Sequence, residues 1–178
     1  EENATLWAEQ VRKGLDFYRE YFNNPAFFQF TGTLKGKRVL DAGCGEGYNS
    51  RIMARMGANV TGVDISPTLV KLARKEERRE RLGIRYCVAS FTDLSMFDDA
   101  SFDTVISNMA LDASPNFEKA IREFLRVLSS GGKLFFSILH PCFVTKGLGW
   151  IQDGTGRDTT LMVSRYFDES PRVEEWKF

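Results

Sequence analysis

The stretch VLDAGCGEGYNS, residues 39–50, decides the fold of this chain. In it, a short apolar run leads into three glycines at alternate positions, Gly43, Gly45 and Gly47. Glycine has no Cβ atom, so such a loop can turn sharply and let a ligand approach its backbone closely. The residues after the loop have a helical pattern, and the first turn of a helix offers unpaired N–H groups. This order predicts a ligand-binding loop between a strand and a helix; a tight turn that binds nothing is the alternative.

The composition is typical of a globular protein, with 43% hydrophobic and 27% charged residues. The 178 residues suffice for one domain with a substantial core. Because 24 basic residues balance 24 acidic ones, no positive field favours a nucleic acid or an anionic membrane as a partner. The three cysteines have no metal-ligand spacing, and the sequence shows no signal segment or long apolar run. We therefore expect a cytoplasmic protein that binds no nucleic acid, no membrane and no metal.

Strand and helix patterns alternate along the middle of the chain. Apolar, β-branched strand patterns cover residues 38–43, 58–64, 84–90, 101–110 and 133–139. Helical patterns cover residues 49–57, 66–83 and 114–132, and the last two begin with Ser-Pro and end at glycine. Helices between apolar strands imply right-handed crossovers. We predict an α/β fold, with a Rossmann-like, doubly wound, mostly parallel sheet and flanking helices.

The two ends of the chain differ from this core. Residues 4–22 place apolar side chains at helical spacing, and Asn24–Pro25 is expected to end that helix. From residue 141 onward glycines and prolines are scattered, and the sequence shows no convincing further strand. We expect this last segment to be rich in loops.

The end of the second predicted strand indicates what the glycine loop binds. In an open parallel sheet the ligand crevice lies at the carboxyl ends of the strands. Asp64 ends the second strand, and a carboxylate there can accept hydrogen bonds from both hydroxyls of a ribose. The glycine spacing is G-x-G-x-G, whereas the dinucleotide fingerprint is G-x-G-x-x-G. These features together predict an adenosine cofactor and leave NAD and S-adenosylmethionine open.

Four segments in a fixed order carry a resemblance to a known family. RVLDAGCGEG, GANVTGVDIS, DASFDTVISNMAL and EFLRVLSSGGKLFFSI fall within residues 36–140. With them the chain closely resembles the class I S-adenosylmethionine-dependent methyltransferases, nearest to the small-molecule type grouped as methyltransferase type 11 or UbiE-like. Ser129–Gly132 reads SSGG where relatives usually carry Lys-Pro-Gly-Gly, which is still a competent turn. Relatives usually end with two further strands, the last one antiparallel, so we expect this sequence to stop before the family's C-terminal strands. A short member whose sheet edge is covered by a partner is the alternative.

The resemblance implies S-adenosyl-L-methionine as the cofactor and S-adenosyl-L-homocysteine as the product. Twelve cofactor contacts follow from it, all at the carboxyl ends of the strands: Asp41, Gly43, Cys44, Gly45, Gly47, Asp64, Ile65, Ser66, Ser90, Phe91, Asn108 and Met109. Asp64 would bind the ribose hydroxyls, and Asp41 would lie near the ammonium group. Ser90 stands where relatives often carry an aspartate that bonds the adenine amino group.

Methyl transfer from a sulfonium needs mainly alignment and exclusion of water, so a dedicated base is not required. His140, the single histidine, follows the fifth strand and is the candidate general base. Its alternative role is to orient the loop through its neighbour Pro141. In relatives the flanking segments fold over the active site, so Tyr21, Trp150 and Tyr166 are expected to line the acceptor pocket.

Function and domain organisation follow from the same resemblance. We predict one S-adenosylmethionine-binding domain over 1–178, made of a helical cap (1–34), a cofactor-binding core (35–140) and a loop-rich lid or substrate region (141–178). The predicted activity is in-line methyl transfer to a small-molecule acceptor by a monomer or homodimer. A protein that binds the cofactor without catalysis and an NAD-type oxidoreductase are the alternatives. The acceptor atom is left open.

Overall fold

The computed structural model describes residues 3–143 and 145–168. They divide into two compact units between Ser137 and Ile138. The first unit contains a parallel five-stranded sheet in the order β3-β2-β1-β4-β5. Its strands are β1 (Arg38–Ala42), β2 (Asn59–Asp64), β3 (Arg85–Val88), β4 (Phe102–Asn108) and β5 (Leu128–Ser137). Its α-helices are α1 (Ala4–Arg12), α2 (Asn24–Thr31), α3 (Tyr48–Arg55), α4 (Pro67–Glu80) and α5 (Phe117–Val127). The Rossmann-like α/β prediction is confirmed.

The central strand β1 brings the glycine loop to the middle of the sheet. It pairs with β2 on one side and with β4 on the other, and its last four residues are buried. Strand order reverses between β1 and β4, and a ligand crevice forms at such a reversal, beyond the carboxyl ends of the strands. The residues that follow β1, β2 and β4 therefore share one edge of the sheet.

Two apolar clusters cover the two faces of the sheet. Val39 and Ile106 belong to one cluster, which also holds Met53 of α3 and Val70 of α4. Leu40 and Val105 belong to the other, together with Phe124 of α5. Neighbouring residues of one strand point to opposite faces, so burial on both faces explains the consecutive apolar pairs Val39–Leu40 and Val105–Ile106.

Helix α4 forms where the Ser-Pro start predicts it. The Ser66 side chain accepts a hydrogen bond from the Leu69 N–H at 3.1 Å, and Pro67 occupies the first helical turn. The start predicted at Ser114 for α5 is wrong, because Asn116 caps this helix through the Lys119 N–H at 2.9 Å. The turn predicted over residues 129–132 lies within β5, where the pairing with β4 shifts register.

The N-terminal segment corrects another prediction, that of one continuous helix over residues 4–22. Helix α1 ends at Arg12, and Gly14 follows with a φ of 73°. A π-helical turn then spans Arg19–Asn23 and leads directly into α2. Pro25 therefore does not end a helix; it occupies the first turn of one, where a missing N–H leaves no bond unmade.

The second unit contains an antiparallel hairpin where the sequence analysis predicted no strand. Its strands are β6 (Gly149–Gln152) and β7 (Asp158–Met162). Asp153 organises the connection, since its Oδ1 accepts hydrogen bonds from the N–H groups of Thr155 at 2.8 Å and Arg157 at 3.1 Å. Residues 169–178 of the predicted lid lie outside the described residues. Within the described ranges, no helix has the length and apolar character needed to cross a bilayer.

Candidate functional site

The glycine loop leaves β1 in a backbone conformation that only glycine adopts without strain. Gly43, Gly45 and Gly47 have φ angles of 85°, 55° and 84°. The N–H groups of Gly43 and Cys44 each donate to the Val63 carbonyl of β2 at 2.9 Å. Gly47 is then the N-cap of α3 and makes no side-chain cap hydrogen bond. The predicted strand, glycine loop and helix are thus present in this order.

Close packing is a second reason for glycine in this loop. A Cβ atom on Gly43 would overlap the Ala110 side chain, which follows β4. A Cβ on Gly47 would lie 2.8 Å from Cζ of Tyr86 on β3. The loop therefore runs against residues from two other strands, with no room for side chains at these points.

Asp64 connects the end of β2 to the glycine loop. Its Oδ2 accepts a hydrogen bond from the Gly45 N–H at 2.8 Å, and its Oδ1 accepts one from the Ser66 N–H at 2.9 Å. The carboxylate is half-buried, and each oxygen retains a lone pair for a further donor. Beside it, the Ile65 side chain is 72% exposed. The pair of Asp64 and Gly45 brings two predicted cofactor contacts into one place.

Asp41 lies beneath the same loop and is buried. Its Oδ2 accepts a hydrogen bond from the Ser50 hydroxyl of α3 at 2.5 Å. Burial raises the pKa of Asp41 to about 7; the bond from Ser50 opposes this rise and the nearby Asp64 carboxylate adds to it. Burial also raises the pKa of the Cys44 thiol in the glycine loop. Asp41 thus joins β1 to the first turn of the helix that carries the loop.

The raised pKa of Asp41 predicts how stability depends on pH. The folded chain keeps a proton up to about pH 7 that the unfolded chain releases near pH 4. The free energy of unfolding therefore falls as pH rises from about 4 to 7, by an amount on the order of 4 kcal/mol. We expect Asp41→Asn to remove this fall, as measured by urea unfolding at pH 5 and pH 8.

Asp103 provides a matched control for that experiment. Hydrogen bonds from Arg38 lower the pKa of Asp103 to about 2, so its titration lies below this pH window. Asp103→Asn should leave the difference between pH 5 and pH 8 as in the wild type. An equal difference in wild type and Asp41→Asn would contradict the titration assigned to Asp41.

The residues after β3 lie beside the loop. The ring of Phe91 is half-buried against Phe124, with ring centroids 5.9 Å apart, and its Cε1 is 3.6 Å from the position of a Cβ on Gly43. Ser90 forms a local turn, in which its hydroxyl lies 2.8 Å from that of Thr92 and accepts the Thr92 N–H. Phe91 is therefore positioned next to the loop by packing, and Ser90 by its own turn.

Asn108, at the end of β4, connects the sheet to the N-terminal segment. Its Oδ1 accepts hydrogen bonds from Asn23 Nδ2 at 2.6 Å and from the Ser137 hydroxyl at 2.5 Å. Its Nδ2 donates to Asn24 Oδ1 at 3.1 Å. Met109 follows with a φ of 56° and a side chain that is partly exposed. Asn23 and Asn24 thus contact a predicted site residue, which the sequence analysis missed because nothing local relates them to a strand about 85 residues away.

A buried charge in the loop was missed as well. The Glu46 carboxylate is fully buried and receives hydrogen bonds from the guanidinium groups of Arg12 on α1 and Arg51 on α3. The ring of Trp7 lies beside the loop, 3.6 Å from the position of a Cβ on Gly45. A glutamate between two glycines gives no sequence signal of burial, so only the fold reveals this contact.

Tyr21 belongs to an exposed aromatic cluster in the first unit. Phe17, Tyr18, Tyr21 and Phe22 form the cluster, with ring centroids 4.6 to 6.2 Å apart. Every ring in it is more than half exposed. The cluster includes part of the π-helical turn that ends at Asn23, the residue hydrogen-bonded to Asn108.

The other predicted catalytic and pocket residues belong to the second unit. His140 is exposed; its Nδ1 lies 2.9 Å from Cys142 Sγ, and its ring centroid is 6.2 Å from that of Tyr166. Trp150 lies on β6 and is largely exposed. The structure thus brings His140 and Tyr166 together within this unit. Among residues 3–143 and 145–168, no group of three or more histidine, cysteine, aspartate or glutamate side chains is arranged to hold a metal ion.

Comparisons of the sequence with a family model and with curated proteins both identify methyltransferases. A family of methyltransferase domains matches residues 40–136. A ubiquinone biosynthesis O-methyltransferase of Xanthomonas euvesicatoria is 42% identical over 120 residues, which are 66% of this chain and 50% of that protein. A protein of the same name from Xanthomonas oryzae is 44% identical over 107 residues, which are 60% of this chain and 45% of that protein. The chain thus spans about half the length of these curated relatives.

Solved structures agree with the fold. An S-adenosylmethionine dependent methyltransferase from Mesorhizobium loti has a TM-score of 0.72 and 33% identity, covering 83% of this chain and 67% of that one. A second protein, described as a putative methyltransferase of this kind from Listeria monocytogenes, has a TM-score of 0.67 and 29% identity, covering 82% of this chain and 68% of that one. Both similarities extend beyond the 40–136 region.

Proposed function

Because this chain belongs to the methyltransferase domain family, we propose that it transfers a methyl group from S-adenosylmethionine to a small-molecule acceptor. The observation that carries the proposal is the glycine loop with the Asp64 carboxylate bonded to Gly45 at its side. Such a loop lets a ligand approach its backbone closely, and such a carboxylate offers acceptors for ribose hydroxyls. Both lie at the strand-order reversal, where α/β sheets bind ligands.

The residues that would hold the cofactor are the twelve predicted from the sequence. Asp64 would accept the ribose hydroxyls with the lone pairs that Gly45 and Ser66 leave free. The exposed Ile65 would cover the adenine, and Phe91 would lie next to it. Asp41 is buried under the loop, so above its pKa of about 7 its charge would act on the ammonium group through the loop rather than by open contact.

When bound, the cofactor supplies the methyl group on a sulfonium, which is the electrophile. The task of the chain is then to align the acceptor and to exclude water. Asn108 and Met109, at the end of β4, would border the transferred group. The hydrogen bonds from Asn108 to Asn23 and Asn24 support a role for the N-terminal segment in covering this place.

The aromatic cluster of Phe17, Tyr18, Tyr21 and Phe22 supports an acceptor with an apolar or aromatic body. Exposed rings in contact with one another favour planar apolar ligands. Because the Xanthomonas relatives are named O-methyltransferases, we propose a hydroxyl as the group that accepts the methyl. His140 as the base, and Trp150 and Tyr166 as pocket residues, lie in the second unit and stay predictions from the sequence alone.

Transfer of a labelled methyl group tests this function. Wild-type chain, methyl-labelled S-adenosylmethionine and a panel of phenols, catechols and amines would be incubated, and the extracted products counted. We expect label in a phenolic or catecholic product and none without the chain. A chain that binds the cofactor but labels no acceptor in the panel would support the non-catalytic alternative instead.

Tyr21→Ala tests the acceptor side of the site. Loss of one ring from an aromatic contact is expected to raise the KM for a phenolic acceptor about 2- to 10-fold, with little change in cofactor affinity. Phe117→Ala, which removes another exposed ring, on α5, is the control and should leave this KM unchanged. An equal change of this KM in the two variants would mean that Tyr21 does not contact the acceptor.

A further inference from the structure

Glu46 is the most deeply buried charge in the glycine loop. Its side chain has no exposed surface and lies between Gly45 and Gly47 in sequence. Arg51 of α3 donates from Nη2 to both carboxylate oxygens at 3.1 Å and from Nη1 to the Glu46 carbonyl at 2.8 Å. This pair ties the loop to its own helix, and a buried carboxylate needs such a partner.

A second guanidinium binds the same carboxylate from a different element. Arg12, in the last turn of α1, donates from Nε and Nη2 to Glu46 Oε2 at 3.2 and 3.1 Å. The Arg12 side chain is 31% exposed, whereas that of Arg51 is 8% exposed. Because Arg51 bonds both oxygens of Glu46, the carboxylate keeps a cationic partner when Arg12 leaves for water.

Helix α1 also contacts the loop through Trp7. Two ring carbons of Trp7 lie 3.6 Å from the position of a Cβ on Gly45. A side chain at Gly45 would therefore meet this ring. The α1 helix thus reaches the loop at two points, with Trp7 against Gly45 and Arg12 on Glu46. It packs as well on α4, where Arg12 Nη1 lies 3.3 Å from Glu76 Oε1.

We propose that Glu46 is a positioning residue that holds α1 closed over the glycine loop through Arg12. When the Arg12–Glu46 ion pair forms, Trp7 covers Gly45; when it breaks, α1 moves away and exposes the loop. That the pair also slows the release of S-adenosylhomocysteine rests on the proposed function.

Hydrogen exchange of the α1 amides tests the first part without any ligand. Loss of a charge-assisted hydrogen bond to a buried carboxylate is expected to speed exchange in α1 about tenfold in Arg12→Ala. Arg12→Lys keeps a charge that reaches Glu46 and should restore most of the protection. Glu46→Gln should speed exchange in α1 to a similar extent.

Two controls separate the ion pair from general destabilisation. Glu76→Gln removes the other partner of Arg12 and should change α1 exchange far less. Arg38→Ala breaks an ion pair with Asp103, which lies near the start of strand β4, away from the loop, and should leave α1 exchange unchanged. Adding Arg12→Ala to Glu46→Gln should give little further increase in α1 exchange, because Glu46→Gln has already removed the charge that Arg12 binds.

The dissociation rate of S-adenosylhomocysteine tests the second part. We expect a rate about tenfold higher in Arg12→Ala and near the wild-type value in Arg12→Lys. Unchanged α1 exchange in Arg12→Ala, or equal increases in Arg12→Ala and Arg38→Ala, would overturn the proposal. If the wild type fails to bind S-adenosylhomocysteine, the proposed function fails while the exchange result still decides the role of Glu46.

Discussion

Replacing Asp64 with alanine is expected to weaken the binding of S-adenosylhomocysteine about 10- to 100-fold. The variant would lose the acceptors proposed for the ribose hydroxyls, and hydrogen bonds to a charged group contribute about 1.5–3 kcal/mol. It would also lose the bond that Oδ2 accepts from the Gly45 N–H, so the loop would be held less firmly. Titration calorimetry of the wild type and the variant measures the effect.

Two variants identify the source of that loss. Asp64→Asn keeps one oxygen acceptor and should bind more tightly than Asp64→Ala but more weakly than the wild type. Asp103→Asn removes an aspartate at the other end of the sheet and should bind as the wild type does, because Asp103 contacts Arg38 and not the loop. If Asp64→Ala bound S-adenosylhomocysteine as tightly as the wild type, Asp64 would not be a cofactor contact.

Gly43→Ala is expected to cause a large loss of stability. Alanine would have to keep a φ of 85°, and its Cβ would overlap the Ala110 side chain. Together we expect a cost of about 2–5 kcal/mol, from strain in a left-handed conformation and from overpacking. Urea unfolding measures the change, and cofactor binding should fall in parallel because the loop must shift.

Gly36 and Ala110 make this prediction specific. Gly36 has a φ of 73° with open space around its Cβ position, so Gly36→Ala shows the backbone cost alone. Adding Ala110→Gly to Gly43→Ala removes the overlapping atom and should recover the difference between the two single variants. Equal costs for Gly36→Ala and Gly43→Ala would mean that the overlap with Ala110 has no effect.

The parts of the fold that were predictable from sequence depend on local chemistry. Helix α4 carries its own start signals, Ser66 as cap and Pro67 in the first turn, and it forms there. The residue types of the glycine loop likewise predict its backbone conformation, since Gly43, Gly45 and Gly47 all have the positive φ angles that glycine favours. Asp64 could be linked to this loop because parallel strands bring their carboxyl ends to one edge.

Tertiary contacts decide the features that the sequence analysis missed. Residues 4–22 have a helical pattern, yet Gly14 breaks the helix and a π-helical turn brings Asn23 to Asn108. That turn depends on a partner far along the chain, which periodicity cannot reveal. Burial of Glu46 likewise depends on Arg12 and Arg51 meeting it from two helices. The hairpin of β6 and β7 has a local signal in Asp153–Gly154, a turn dipeptide whose flanking strands are too short to stand out.

Titration calorimetry of the wild-type chain with S-adenosylhomocysteine, and with NADH in a parallel experiment, tests most directly which cofactor the chain binds. The two ligands share an adenosine but differ in what the glycine loop must hold. We predict micromolar binding of S-adenosylhomocysteine and no binding of NADH at the same concentration. Binding of NADH alone, or no binding of S-adenosylhomocysteine by the folded chain, would contradict the account.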